Sequence, residues 1–255
     1  MKIAHISDIH CNIGTDFNEK IFDRATKQLN KIDKDFVFIS GDLTTWGLLP
    51  EYELAKEKLK QIKGHIVIVP GNHDERNLGW KLFPEFFGDT DFIHSFDEIN
   101  LVGLASSEPD KDNGRLGRSR HKLIEKGIKK EDKMAIIGFH HHLVPVPNSG
   151  RETNIIDDAG ETLDIILKNN VPLVLMGHRH VPWSVKIHNT LLVNAGTFSC
   201  NRTRSHFGYT FNIIDIKEDR ISINVVDIIK SKTKKMIQFN LKDRSCNNNY
   251  YDLCK

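Results

Sequence analysis

Short apolar runs recur along the chain, and each closes on a cluster of polar residues. Ile3–Ile6, Phe36–Ile39, Ile66–Val69, Met134–Phe139 and Leu173–Met176 are rich in Val, Ile and Phe and too short for helices. Each predicts a strand buried on both faces. Helical periodicity separates the first three. Phe17, Ile21, Ala25, Leu29 and Ile32 fall on one stripe, with Thr15 or Asp16 as the expected cap. Pro50 opens a second helix with the stripe Tyr52, Ala55, Leu59 and Ile62. Further helices are predicted at about 118–130 and 157–169. This alternation predicts an α/β fold with a largely parallel sheet region.

From about residue 183 the pattern turns to consecutive strands: Trp183–His188, Leu191–Asn194, Tyr209–Ile216 and Ile221–Ile228. His188-Asn189 and Glu218-Asp219 supply turns between them. A βα first half and a β-rich second half predict two packed sheets with helices outside. Residues 1–229 read as a single domain. Residues 230–255, Lys-rich and then Asn-rich, read as an edge strand and a poorly ordered tail.

The 255 residues are enough to bury a sizeable core without disulfides. A hydrophobic fraction of 39% and a charged fraction of 27% exclude a disordered or membrane-embedded class. The net charge of +2 gives no general attraction to nucleic acid or anionic lipid. The 4 cysteines include no C-x-x-C pair, which favours reduced thiols in a reducing compartment. The start of the chain has no apolar signal run, and no stretch approaches a membrane span. The expectation is a soluble, cytoplasmic protein.

The chemistry lies just beyond the end of each buried strand. The five runs end in Asp8-Ile9-His10, Gly41-Asp42, Gly71-Asn72-His73-Asp74, His140-His141-His142 and Gly177-His178-Arg179-His180. Any one of these reads as an ordinary turn or a surface histidine. Five in the same structural position do not, because ligands in open α/β sheets bind beyond the carboxyl ends of strands. The expectation is that all five reach one sheet edge. Gly41, Gly71 and Gly177 would permit tight geometry where the chain leaves each strand. Asp8, His10, Asp42, Asn72, His140, His178 and His180 make seven candidate ligands, too many for one tetrahedral ion. They suit two divalent ions sharing a carboxylate, as in phosphoryl transfer. Mixed imidazole and carboxylate donors fit Mn, Fe, Zn or Co.

In order and spacing, D-x-H, G-D, G-N-H-[DE], H and G-H-x-H, these residues resemble the calcineurin-like metallophosphoesterases, from Asp8 to His180. The resemblance implies a four-layer α/β/β/α sandwich with two mixed β-sheets. It implies that Asp8, His10 and His180 hold one metal, that Asn72, His140 and His178 hold the other, and that Asp42 bridges them. His73 would act on the phosphate or the leaving oxygen. A metal-bridging hydroxide would hydrolyse phosphodiester or phosphomonoester bonds. His141 and His142 become candidates to face the substrate or to support the ligands. Ile-Ser-Asp-Ile-His, Gly-Asp-Leu-Thr and the His-His-His-Leu-Val-Pro-Val-Pro stretch look most like the bacterial cyclic-nucleotide phosphodiesterase branch.

There are departures. Thr45 and Trp46 replace the Asp and Arg of the protein-phosphatase motif, which argues against a protein phosphatase and removes the carboxylate that orients its histidine. Asp74 is the candidate replacement. Arg151, on the segment Pro145–Ile155, and Arg179 are candidate phosphate partners, with a solvated arginine the plainer reading. Trp46, Trp80, Phe86 and Phe87 could stack a base, with core or cap packing the plainer reading. The expected substrate is a small-molecule phosphate ester. One alternative is a nuclease like the DNA-repair exonucleases, for which Lys230–Lys235 is the sole basic cluster. Another is a non-catalytic scaffold with the same fold, as a retromer subunit is thought to be.

Overall fold

The computed structural model describes residues 1–150 and 154–250. Among these residues thirteen strands form two sheets. The first sheet contains β1 (Lys2–Ile6), β2 (Phe36–Ser40), β3 (His65–Val69), β10 (Thr210–Ile216), β11 (Arg220–Asp227), β12 (Lys232–Asn240) and β13 (Cys246–Asn248). Its order is β13-β12-β11-β10-β1-β2-β3. The second contains β4 (Phe92–Ser95), β5 (Ile99–Gly103), β6 (Met134–Gly138), β7 (Leu173–Met176), β8 (Trp183–Ile187) and β9 (Thr190–Asn194). Its order is β4-β5-β6-β7-β9-β8. Both are mixed: β1, β2 and β3 run parallel, as do β5, β6, β7 and β9, and the flanking strands are antiparallel.

Strand alternation builds the layers. Ile3, Phe36 and Phe38 face the second sheet and pack with Ile136, Leu173, Leu175 and Val193 in a core between the sheets. Their neighbours Ala4, Val37 and Ile39 face outward, onto Phe22, Ala25, Tyr52 and Phe83 of helices α1 (Glu19–Leu29), α2 (Leu49–Leu59) and α3 (Gly79–Phe87). On the far side Val102, Ile137, Val174 and Leu192 receive Ile124 and Ile166 from α4 (Gly117–Ile128) and α5 (Ala159–Lys168). The result is the four-layer α/β/β/α sandwich.

Three details differ from the sequence reading. The α1 cap is Asn18, whose side chain accepts the backbone N–H of Ile21 at 3.1 Å; Thr15 and Asp16 lie before it. The C-terminal strands divide between the sheets, because β8 and β9 complete the second and β10 starts the return to the first. The segment 195–209 therefore crosses from one sheet to the other. Residues 232–248 supply two strands, with β13 at the sheet edge.

Candidate active site

The polar strand ends meet, but at two sheets rather than one edge. β1, β2 and β3 bring Asp8, His10, Asp42 and Asn72 from the first sheet, while β6 and β7 bring His140, His178 and His180 from the second. Backbone pairing continues past the strands and fixes their register. The N–H of Asp8 donates to the Gly41 carbonyl (3.1 Å), that of His10 to Asp42 (2.9 Å) and that of Gly177 to His140 (2.8 Å). Five of these residues take left-handed backbone: Asp8 (φ 55°), His10 (56°), Asp42 (54°), His178 (71°) and His180 (55°). Such φ values in non-glycine residues cost on the order of 1–3 kcal/mol each and gather where surrounding structure enforces them.

The donor atoms fall into two adjoining sets that share Asp42. In one, His180 Nε2 lies 3.1 Å and His10 Nε2 3.9 Å from Asp8 Oδ1, and His10 Nε2 lies 3.4 Å from Asp42 Oδ2. In the other, His140 Nε2 lies 3.3 Å from the same Asp42 Oδ2, 3.2 Å from Asn72 Oδ1 and 3.2 Å from His178 Nδ1. Asn72 Nδ2 donates to Asp112 at 3.4 Å, which turns its carbonyl oxygen inward. Asp8 Oδ1, His10 Nε2 and His178 Nε2 are buried without a hydrogen-bond partner. Buried polar atoms normally find one. Buried polar atoms without partners beside close-packed imidazoles are what a cation site requires, so the residues fit divalent-metal binding.

Backbone carbonyls set the tautomers. The Nδ1–H groups of His73, His140 and His180 face the carbonyls of Thr45 (2.7 Å), Ser40 (2.6 Å) and Arg202 (2.7 Å). Each ring thereby turns its Nε2 inward, which for His140 and His180 is the usual support of a metal-binding histidine. His10 is the exception: its Nδ1 lies 2.9 Å from Nη2 of Arg202. The site favours positive charge. Burial opposes ionisation of Asp8 and Asp42, yet the surrounding histidines hold both well below the usual carboxylate range. Burial likewise opposes the His140 cation, but Asp42 outweighs it and the pKa is pushed up to about 9. Burial pushes His10 down to about 3.

A pocket of about 180 Å³ opens onto Asp42, Asn72, His73, His178 and His180. His73 sits at its edge, with its N–H donating to Asp42 Oδ1 at 2.9 Å. Asp74 does not orient the His73 ring, contrary to expectation. Its carboxylate accepts from the N–H groups of Thr44 (2.8 Å) and Gly71 (2.9 Å), and the Thr45 carbonyl holds the ring instead. His141 and His142 are fully buried and do not line the pocket. Both nitrogens of His141 are engaged, Nδ1 by Ser106 Oγ (2.8 Å) and Nε2 by the Asp112 carbonyl (3.1 Å), which leaves no ring atom for substrate. The His142 ring stacks on His178 at 5.6 Å and so supports a ligand ring from behind. Arg179 lines the pocket and donates to Ser149 Oγ (3.2 Å) and its carbonyl (3.0 Å). Arg151 lies outside the described residues. Phe86 and Phe87 pack with Tyr52, whereas Trp46 and Trp80 are half exposed.

Sequence reasoning missed what the 195–209 crossing delivers. The Cys200 thiol lies among the donor atoms of His10 and His180, and burial pushes its pKa up to about 11, keeping it neutral. Arg202 and Arg204 reach the pocket from the same segment. The run Cys200-Asn-Arg-Thr-Arg was visible, but it follows no sheet-end motif.

Fold and donor set together define a phosphoester-hydrolysing class. The family model for calcineurin-like phosphoesterases matches residues 1–182, and the chain belongs to that family, which makes it a phosphoric ester hydrolase. It is 25% identical over 205 residues to a probable cyclic nucleotide phosphodiesterase of Coxiella burnetii, covering 76% of this chain and 82% of that one. Another protein of that name, from Xenorhabdus bovienii, is 24% identical over 244 residues, covering 86% and 97%. A probable glycerophosphodiester phosphodiesterase of Arcobacter nitrofigilis is 30% identical over 154 residues, covering 57% and 56%. Among solved structures, the purple acid phosphatase PPD1 of yellow lupin shares the fold with a TM-score of 0.73 at 15% identity, over 100% of this chain and 55% of that one. No helix among the described residues is long and apolar enough to cross a membrane.

Proposed function

We propose that this chain is a dinuclear-metal phosphodiesterase acting on small-molecule phosphodiesters. The observation that carries the reading is the pair of donor sets joined at Asp42 Oδ2, which lies 3.4 Å from His10 Nε2 and 3.3 Å from His140 Nε2. Asp8, His10 and His180 would hold one ion, Asn72, His140 and His178 the other, and Asp42 both. When bound, the ions supply Lewis acidity for water and for the phosphoryl oxygens. The buried carboxylates and carbonyl-anchored imidazoles fix the donor positions in advance. His73 keeps its Nδ1 proton on the Thr45 carbonyl, so Nε2 faces the pocket and, when the ring is protonated, would give its proton to the leaving oxygen.

The names of the relatives support phosphodiesters, including cyclic nucleotides, over phosphomonoesters. The nuclease alternative gains nothing, because Lys230–Lys235 does not line the pocket. The scaffold alternative would leave the orphaned donors without purpose.

Hydrolysis of bis(p-nitrophenyl) phosphate with added Mn²⁺, Fe²⁺, Zn²⁺ or Co²⁺ tests the reading. Turnover is expected, and His73→Gln is expected to keep both ions while losing about 10²–10⁴-fold in kcat. No turnover with any divalent ion overturns the reading.

A further inference from the structure

The pocket holds more positive charge than a simple phosphodiester needs. Arg76, Arg179, Arg202 and Arg204 all line it. Asp112 neutralises Arg76 at 2.6 Å. Arg179 and Arg204 stand close enough that, after burial, the Arg204 charge is what holds the Arg179 guanidinium below its ordinary pKa. Arg204 is exposed and joins no ion pair among the described residues. Among the described residues Arg202 has a carboxylate only at Asp16 Oδ1, 3.6 Å away, and its buried Nε has no hydrogen-bond partner. Two divalent cations held by Asp8 and Asp42 would by themselves balance the single charge of a phosphodiester.

Arg202 also touches the candidate ligand His10. Arg202 Nη2 lies 2.9 Å from His10 Nδ1, and a guanidinium only donates. The contact holds while Nδ1 is the acceptor of the ring. With Nε2 given to a cation, the ring proton would sit on Nδ1, and His10 and Arg202 would both be donors there. The guanidinium lines the pocket beside this contact.

We propose that Arg202 and Arg204, beside Arg179, form a second anion subsite next to the metal centre. The substrate is then a phosphoester that carries an additional phosphate group, seated on these arginines while the ester phosphate reacts. Arg–phosphate pairs are strong, charge-assisted and often bidentate. The subsite rests on the phosphodiesterase reading only for which phosphate reacts.

Adenosine 5′-monophosphate and adenosine 3′,5′-bisphosphate differ by one phosphate and serve as probes. Each is run as a competitor of bis(p-nitrophenyl) phosphate on the Mn²⁺-loaded chain, and its binding is measured by calorimetry. The bisphosphate is expected to bind at least about tenfold more tightly, with the advantage falling to about twofold in Arg202→Gln/Arg204→Gln. Arg204→Gln alone, at an exposed position, is expected to remove about threefold of it and carries the test if the double variant does not fold. Equal binding of the two nucleotides overturns the proposal. So does an advantage that survives substitution, or a loss equal for both nucleotides, which would mark Arg202 as a purely structural residue. Calorimetry separates the two readings: a chain that prefers the bisphosphate yet turns over no ester loses the phosphodiesterase reading and keeps the subsite.

Discussion

Gly71 shows how little room the donors have. A Cβ there would lie 2.2 Å from Asp42 Oδ1 and 2.5 Å from Asp42 N. Gly71→Ala must push the shared carboxylate away, so metal content by mass spectrometry should fall from about two ions per chain to one or none. The sequence places a glycine at this strand exit for its backbone freedom. The structure supports that reason at Gly41 (φ 90°), whereas Gly71 is required by close approach. The seven candidate donors were legible as a set because each stands within a few residues of the end of an apolar run. His141 and His142 were not resolvable by the same rule, because adjacency in sequence does not say which ring turns inward. Away from the donors, Glu75 offers a pH test. Burial, with Asp74 adding to it against the opposing Arg120, pushes its carboxyl from 4.5 up to about 7. The folded state therefore binds this proton more tightly than the unfolded chain, and stability falls as pH rises from 4.5 towards 7. Glu75→Gln should stabilise the protein by on the order of 2 kcal/mol at pH 8 and by nothing below pH 4.5, read from urea melts at the two pH values.

At the scale of elements, buried parallel strands were the most legible because nothing else makes a five-residue run of Val, Ile and Phe between polar clusters. β5 was lost because its Asn100 breaks the run; that side chain is buried and donates to the Gly127 (3.2 Å) and Lys130 carbonyls. α3 was lost because it lacks a capping side chain and carries Pro84 inside. The crossing at 195–209 was lost for a topological reason. Hairpin signals pair neighbours, and the pattern cannot show that β9 adds to β7 while β10 adds to β1. Helix α1 is a case where several residue types can cap and geometry chooses. Asn18 caps it and also reaches Asn201 Oδ1 at 2.9 Å on the crossing segment. Asn18→Ala should cost about 1 kcal/mol or somewhat more, and Thr15→Ala less than about 0.5 kcal/mol, measured by chemical denaturation.

The whole molecule is held across its two sheets by apolar packing throughout and, at one end, by the donor cluster. Four donors, Asp8, His10, Asp42 and Asn72, come from the first sheet and three, His140, His178 and His180, from the second. Ions bound here would join the sheets where left-handed backbone at five positions and buried carboxylates work against folding. Such a centre binds the native state and has no counterpart in the unfolded chain, so saturation should shift the folding equilibrium. At a free Mn²⁺ concentration of about 100 Kd the gain is about 2.7 kcal/mol per independent site. For a chain of this size that raises Tm by roughly 5–10 °C relative to protein in EDTA. Asp42→Asn keeps an oxygen for the His73 N–H but loses the shared charge, so its Tm should barely respond to Mn²⁺. Hydrogen exchange should slow together at 8–12 and 177–182, on opposite sheets, and remain unchanged at the far end of α4. Equal melting in EDTA and Mn²⁺, with exchange unaltered at both loops, would mean that no cation couples the two sheets.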